Sequence, residues 1–479
     1  MPPISTAFRP FDTERSLYTL GVQAAAIVEI ESSPADLTTL NAMAVGDSFS
    51  GALQTVGDDD WVAVTLQAGS SYEINLFGSG VGALSDPYLR LYDASGTQVA
   101  FNDDGGSGYN SRIIYTPSST ETYFISARAY GDTGQGNYQI TVDTAAASSP
   151  GSLDQLAAYL TDGYWNDNGG ARHTFDTSIS NVITVNITAL SAEGQRLARW
   201  AMEAWERVAD IQFSEISGSA QITFTDNQPG AYSSYYAIGG TTQSAIVNVS
   251  TTWLNTYGTQ IDDYSFSTYL HELGHALGLG HQGDYNGAAT YGVDETYAND
   301  SYQVSLMSYF SQTENTFVNA SYGLPATAMI ADILAIQNLY GAPDNNSDTA
   351  GNTVYGVGQT IGGYLGVLFD AMLINQEPEN YYGDGPVALT LFDRSGTDTV
   401  DFSTDTTDQS VDLNAEGIWD TFGRIGNVVL ARGTVIENYV AGSGNDQVIG
   451  NDANNTISGN AGNDTLLGGS GDDLLNGGA

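Results

Sequence analysis

The chain has 479 residues, with 12 basic against 56 acidic side chains, a formal net charge of −44 and no cysteine. Such acidity disfavours nucleic acid and anionic membrane as partners and favours cations such as calcium, while the missing cysteines exclude disulfides and a cysteine-based zymogen switch. The length predicts roughly two to four domains, no run approaches the roughly 18 apolar residues of a membrane span, and no basic residue lies between Arg207 and Arg394.

Residues 1–40 read as an N-terminal segment or propeptide. Met1 to Glu31 has no basic start followed by an apolar core, so no Sec-type leader is legible. Leu17 to Ile30 fits a short helix or a strand equally well. Residues 41–145 read as a β-sandwich. Trp61–Leu66, Tyr72–Phe77, Tyr88–Tyr92, Arg112–Tyr115, Tyr123–Ala127 and Tyr138–Val142 are candidate strands, several of them alternating apolar and polar residues. Turn clusters such as Asp103-Asp104-Gly105-Gly106 lie between them. Asp58, Asp60, Asp103 and Asp104 are either calcium ligands or turn residues. Gly57-Asp58-Asp59-Asp60-Trp61 and Asp86-Pro87-Tyr88-Leu89-Arg90-Leu91-Tyr92-Asp93 resemble the pre-peptidase C-terminal domain, an accessory module of secreted bacterial proteases, here at an N-terminal position.

A small, polar linker from Ala145 to Gly151 precedes an α+β domain spanning 151–343. His173 is expected at the surface or in a turn. Ser191 suits the N-cap of a helix carrying Leu197, Trp200, Ala201, Ala204, Trp205 and Val208 on one face. Gln221–Thr225 and Ala245–Val249 read as strands. Phe266, Leu270, Leu273 and Leu277 then recur at helical spacing. On that helix His271 and His275 lie one turn apart on one face, able to hold one Zn²⁺ at about 2.0–2.1 Å each. Glu272, beside the first ligand, can take a proton from the attacking water without being a ligand. Gly278 can adopt the left-handed conformation that ends a helix, and the returning chain delivers His281 as third ligand. The fourth position stays open, as a catalytic zinc site requires. The full His-Glu-x-x-His-x-x-Gly-x-x-His pattern is the metzincin signature.

Ser305-Leu306-Met307-Ser308-Tyr309-Phe310 supplies a methionine turn. With His281-x-Gly283-Asp284-Tyr285-Asn286, Thr296-Tyr297-Ala298 and Asp332-Ile333-x-Ala335-Ile336-Gln337-x-Leu339-Tyr340-Gly341, it makes the chain resemble the serralysins, secreted bacterial zinc endopeptidases. The resemblance implies that Met307 forms a hydrophobic base beneath the histidines. It also implies that Tyr309 is a movable extra zinc ligand that hydrogen-bonds the oxyanion during turnover. A segment near Gly230, Ala231 and Tyr232 would be an edge strand that pairs with extended peptide. Gln282 departs from the family, which usually has proline there, but removes no ligand. Pro325 and Gly341 are expected to bracket a last helix. Protein or peptide substrate, a proteinaceous inhibitor and a monomeric state complete what the resemblance implies.

Residues 344–479 are expected to form a calcium-binding parallel β-roll, strand-like from 344 to 440. From Gly442 a nine-residue repeat places Asp446, Asn455, Asp464 and Asp473 in phase, and likewise Val448, Ile457, Leu466 and Leu475. Gly468-Gly469-Ser470-Gly471-Asp472-Asp473-Leu474 fits the glycine-rich calcium-binding repeat of RTX proteins. Asp446, Asp464 and Asp473 are the candidate calcium ligands, and the four aliphatic residues should stack inside. RTX repeats imply type I secretion to the extracellular space, and the last repeat reads as truncated. The expectation is a multidomain secreted protease with Zn²⁺ and Ca²⁺ as cofactors. The rival from another class is a calcium-dependent RTX adhesin or binding protein with an inactive metzincin domain.

Overall fold

The computed structural model describes residues 26–30, 33–145, 148–344, 347–374 and 381–478. The expected 1–40 segment lies mostly outside them. The chain divides into two compact units, Met1–Ala147 and Ser148–Ala479.

In the first unit β1 (Ala26–Val28), β2 (Ala42–Met43), β3 (Ser48–Leu53), β4 (Asp60–Leu66), β5 (Tyr72–Gly78), β6 (Pro87–Tyr92), β7 (Gln98–Asn102), β8 (Ser111–Tyr115), β9 (Glu121–Ala129) and β10 (Gly136–Thr144) form two five-stranded sheets. Their orders are β1-β3-β10-β5-β8 and β2-β4-β9-β6-β7. Alternation creates the shared core. Val62, Val64 and Leu66 of β4, Ile74 and Leu76 of β5, and Ile140 and Val142 of β10 point inward and are buried. All six expected strands are present, and the Leu17–Ile30 ambiguity resolves as a strand at its described end.

The four aspartates weighed as calcium ligands are not brought together. Asp58 accepts the Gln54 N–H in a turn at 2.7 Å. Asp60 faces inward, accepts the Tyr138 hydroxyl at 2.9 Å and lies against Glu29. Asp103 and Asp104 instead meet Asp86. β4 carries Asp60 to a different part of the sandwich from Asp103 and Asp104.

In the second unit a capping box at Ser152 and Gln155 opens α1 (Leu153–Ala158), which continues through one π-turn into α2 (Tyr164–Asp167). A five-stranded sheet follows, built from β11 (Val182–Asn186), β12 (Gln212–Glu215), β13 (Ile222–Thr225), β14 (Ala231–Ile238) and β15 (Thr241–Val249), in the order β12-β11-β13-β15-β14. Only β14 runs antiparallel to its neighbour, and it forms an edge. Ser191 caps α3 (Ala192–Glu206) through the Gly194 N–H, as its position suggested, and Val208 falls just past the end. After α4 (Thr251–Tyr257), α5 (Tyr264–Leu277) buries Phe266, Leu270, Leu273 and Leu277 completely. The Trp205 indole of α3 donates to the Leu270 carbonyl at 3.1 Å and fixes the two helices together.

Three expectations about secondary structure and packing fail in this unit. Pro325 does not start the last helix: it pairs with Ala388 in a short strand, and α6 (Ile330–Tyr340) begins five residues later, ending at Gly341 as expected. The 344–440 region is not all strand. It contains α7 (Gly363–Ile374), which buries Leu365, Leu368, Phe369 and Leu373 and receives Glu203 of α3 on the Tyr364 N–H. Its apolar residues run almost all round, so no helical stripe marks it in the sequence. Finally, the aliphatic ladder is incomplete: Val448 and Ile457 are fully buried, Leu466 is partly buried and Leu475 is 42% exposed.

The C-terminal strands are short and parallel. Asn438–Val440, Thr456–Ser458 and Leu474–Asn476 pair in one sheet, and Gln447–Ile449 and Thr465–Leu467 in the other. Successive nine-residue repeats therefore alternate between two sheets. The last three repeats carry glycine five residues before the Asp or Asn, where the first has Ala441. A Cβ at Gly450, Gly459 or Gly468 would collide with the side chain of Asn455, Asp464 or Asp473.

One consequence concerns Asp60. Burial and the Glu29 carboxylate raise its pKa above the ordinary value. The folded state then holds a proton that the unfolded chain releases above about pH 3.9. Stability contributed by this group is therefore present at low pH and lost as pH rises. Asp60→Asn, which keeps a donor toward Glu29, should raise the melting temperature of the first unit at pH 8 and have little effect at pH 4, read by calorimetry.

Candidate active site

α5 presents His271, Glu272 and His275. The helix ends at Gly278, whose φ of 111° and ψ of 7° are left-handed, with the Leu279 N–H returning to the Gly274 carbonyl at 3.0 Å. A side chain at 278 would also collide with the His173 carbonyl. The turn delivers His281 so that the three rings surround one point, with centroids 4.6, 4.5 and 5.3 Å apart.

Each ring is oriented by a backbone carbonyl. Nδ1 of His271, His275 and His281 donates to Leu306, Leu279 and Tyr285 at 2.9, 2.8 and 2.8 Å. With Nδ1 protonated, every Nε2 is a bare lone pair facing its neighbours, and those of His275 and His281 lie 3.0 Å apart. Burial first, then mutual repulsion, pushes His275 down to about 3; burial pushes His271 down to about 4. Three neutral imidazoles converging on one point suit a zinc ion. Glu272 is buried beside them, and burial pushes its carboxyl up to about 8.

Met307 is fully buried beneath the helix, its sulfur 2.9 Å from where a Cβ on Gly274 would sit. The turn holding it is organised by Asp332, a residue that nothing in the sequence singled out for this role. The buried Asp332 carboxylate accepts from Ser305 Oγ at 2.6 Å, Leu306 N at 2.7 Å and Met329 N at 2.8 Å. Burial raises its pKa to about 7 and these donors oppose that shift. Since Leu306 also orients His271, Asp332 acts on that ring through one residue.

Tyr309 packs edge-on to His281 at 4.6 Å, and its hydroxyl accepts the Gly287 N–H at 3.4 Å. Tyr285 touches both ends of this pair. Its carbonyl orients His281, while its hydroxyl accepts the Tyr309 N–H at 3.2 Å and donates to the buried Asp300 at 2.9 Å.

Two lobes of about 390 and 400 Å3 open on either side of Glu272 and share Ala231, His271, Asn286 and Tyr309. Ala231 and Tyr232 belong to the edge strand β14 and line the cleft; Gly230 precedes the strand and lines neither lobe, its carbonyl taken by Ser250 N at 3.0 Å. His173, expected at the surface or in a turn, is only 2% exposed and stacks on Tyr235. The aromatic contacts that bury it come from residues far apart in sequence. Asp446 and Asp464 lie on adjacent coils of one face, with Asp464 Oδ1 accepting the Asp446 N–H at 3.0 Å. Asp473 lies on the other face and accepts the Asn455 N–H at 2.9 Å.

Residues 379–477 match the family described as Peptidase M10 serralysin C terminal. Metallopeptidase AprA of Pseudomonas marginalis is 37% identical over 347 residues, covering 66% of each chain. Serralysin C of Dickeya chrysanthemi is 36% identical over 401 residues, covering 75% of this chain and 72% of that protein. The chain belongs to the serralysin family. Within that family of metallopeptidases the histidine triad indicates a zinc site. The pre-peptidase C-terminal domain of a Bacillus anthracis collagenase is a similar solved structure, at 16% identity and a TM-score of 0.18, over 21% of this serralysin and 92% of that domain.

Tyr285→Phe keeps the ring and the carbonyl that holds His281 but takes one donor from Asp300 and the hydroxyl acceptor from Tyr309 N–H. Stability should fall by about 1–3 kcal/mol, read as a lower urea midpoint, while bound zinc stays stoichiometric by elemental analysis.

Proposed function

We propose that this serralysin-family chain is a secreted zinc-dependent endopeptidase of broad specificity, stabilised by calcium. The observation that carries the reading is the convergence of three carbonyl-oriented Nε2 atoms beside Glu272, in a cleft flanked by an edge strand. His271, His275 and His281 would hold the zinc. When bound, the ion supplies Lewis-acid polarisation of the scissile carbonyl and of the attacking water. Glu272 takes the proton of that water and returns it to the leaving amine. Its burial between the two lobes keeps that proton out of bulk solvent. Tyr309, beside His281, would donate its hydroxyl proton to the developing oxyanion.

The free edge of β14 supports substrate binding by strand addition, because β14 pairs with β15 on one side only among the described residues. Backbone hydrogen bonds along such an edge bind peptide with little regard to side chain. Glu272→Gln should leave zinc bound and lower kcat on a peptide substrate by about 10²–10⁴-fold, checked by parallel elemental analysis and steady-state kinetics. Stoichiometric zinc with undiminished kcat would remove Glu272 from the mechanism.

Calcium fits the C-terminal coils by the oxygens left over. Asp446 Oδ2 and Asp464 Oδ2 are buried without a partner, as are Asp393 Oδ1 and Asp398 Oδ2, which the sequence reading did not single out. Asp393 and Asp398 are 2% and 1% exposed, and burial with mutual repulsion raises the Asp393 pKa. Such oxygens are the hard, anionic donors that calcium takes, and binding would cancel their repulsion. Secretion is read from the same repeats; no helix among the described residues is long and apolar enough to cross a membrane. Removing calcium with a selective chelator should speed amide exchange from Asn438 to Asn476 well before α5 is affected, measured by mass spectrometry. Equally slow exchange with and without calcium would exclude it as a structural ion there.

A further inference from the structure

The second lobe of the cleft has a wall that strand addition does not require. It lies between Ala231–Tyr235 of β14 and the pair Tyr164–Trp165, and apart from Glu272 no Asp, Glu, Lys or Arg lines it. The wall is tied to the zinc helix, because Trp165 Nε1 donates to the Gly278 carbonyl at 2.9 Å. Trp165 meets Tyr235 edge-on at 5.3 Å, and His173 lies flat beneath Tyr235 at 3.7 Å with 16° between the planes.

His173 is itself anchored. Its Nδ1 bonds the Ala171 carbonyl at 3.1 Å, and the following Thr174 is held between Gly240 and Thr242 at the turn joining β14 and β15. Its Nε2 is buried without a partner. An unpaired buried nitrogen costs stability that leucine would not. What imidazole adds is a flat face, and that face is spent on Tyr235. Tyr235 is 38% exposed on an edge strand, where a tyrosine ordinarily loses rotamer freedom when a ligand orders it. The stack removes most of that loss in advance. The adjacent Ser233 and Ser234 are small and add no charge. A rigid, uncharged aromatic wall attracts apolar and aromatic groups by dispersion and edge-to-face contact. It would desolvate a charged side chain without repaying it.

We infer that this lobe is a side-chain subsite for an aromatic or large aliphatic substrate residue, with Tyr235 as the contact and His173 as the positioning residue beneath it. The inference rests on the endopeptidase reading and deepens it to a substrate class.

The test uses the zinc-loaded full chain and its Tyr235→Ser, Tyr235→Asp and His173→Leu variants on a peptide library, with cleavage sites read by mass spectrometry. kcat and KM are then measured for a matched peptide pair carrying Phe or Ala at the enriched position. The wild type should enrich Phe, Tyr, Trp or Leu at one position, and in Tyr235→Ser the Phe-to-Ala ratio of kcat/KM should fall about tenfold. Tyr235→Asp should transfer the preference to Arg or Lys. His173→Leu keeps the burial but not the flat face, and should lose part of the ratio through KM rather than kcat. An unchanged ratio in Tyr235→Ser with zinc still bound overturns the subsite alone. No cleavage of any peptide by the wild type overturns the endopeptidase reading and the subsite with it.

Discussion

Three backbone carbonyls decide the chemistry of this molecule. Leu306, Leu279 and Tyr285 each take the Nδ1 proton of one histidine. A free imidazole exchanges its tautomers and rotates; these three cannot, so their Nε2 lone pairs stay aimed at one point. The carbonyls come from the methionine turn, the cap of α5 and the loop after His281. Each of those segments has to be held in place before the site exists, and much of the second unit is occupied with holding them.

The holding groups are mostly buried carboxyls. Asp332 gathers Ser305, Leu306 and Met329, and Asp300 fixes Tyr285. Burying a carboxyl is costly unless donors surround it, and here the donors are the backbone atoms and hydroxyls that must be positioned. The desolvation cost and the geometric specificity are therefore the same interaction. Behind them, Trp205 ties α3 to α5, and Glu203 ties α3 to α7. The helix carrying His271 and His275 is thus continuous with a packed core.

The sequence was most readable where function compresses residues into a short stretch. His271, Glu272, His275, Gly278 and His281 fall within eleven positions, so helical spacing places the first three and the glycine-ended turn delivers His281. The sandwich strands were legible because one face of each is buried, leaving a period of two in Val62, Val64 and Leu66. The opposite holds for α7, which is apolar nearly all round and sits among Gly-, Asp- and Thr-rich text. His173 and Asp332 were unreadable for another reason. Their partners, Tyr235 and Ser305, are tens of residues away, and no local pattern encodes a tertiary contact. Pro325 misled because a proline that suits a helix start suits an edge strand equally.

The alternation of repeats between two sheets sets a parity on the C-terminal coil. Asn438 pairs with Thr456 and Thr456 with Leu474, steps of eighteen residues, whereas the text repeats every nine. Insertion or deletion of one nine-residue unit would send every later aspartate to the opposite face and break the rungs joining Asp446 to Asp464 and Asn455 to Asp473. Two units together would leave every rung intact. Length variation in this part of the molecule is therefore quantised in whole coils.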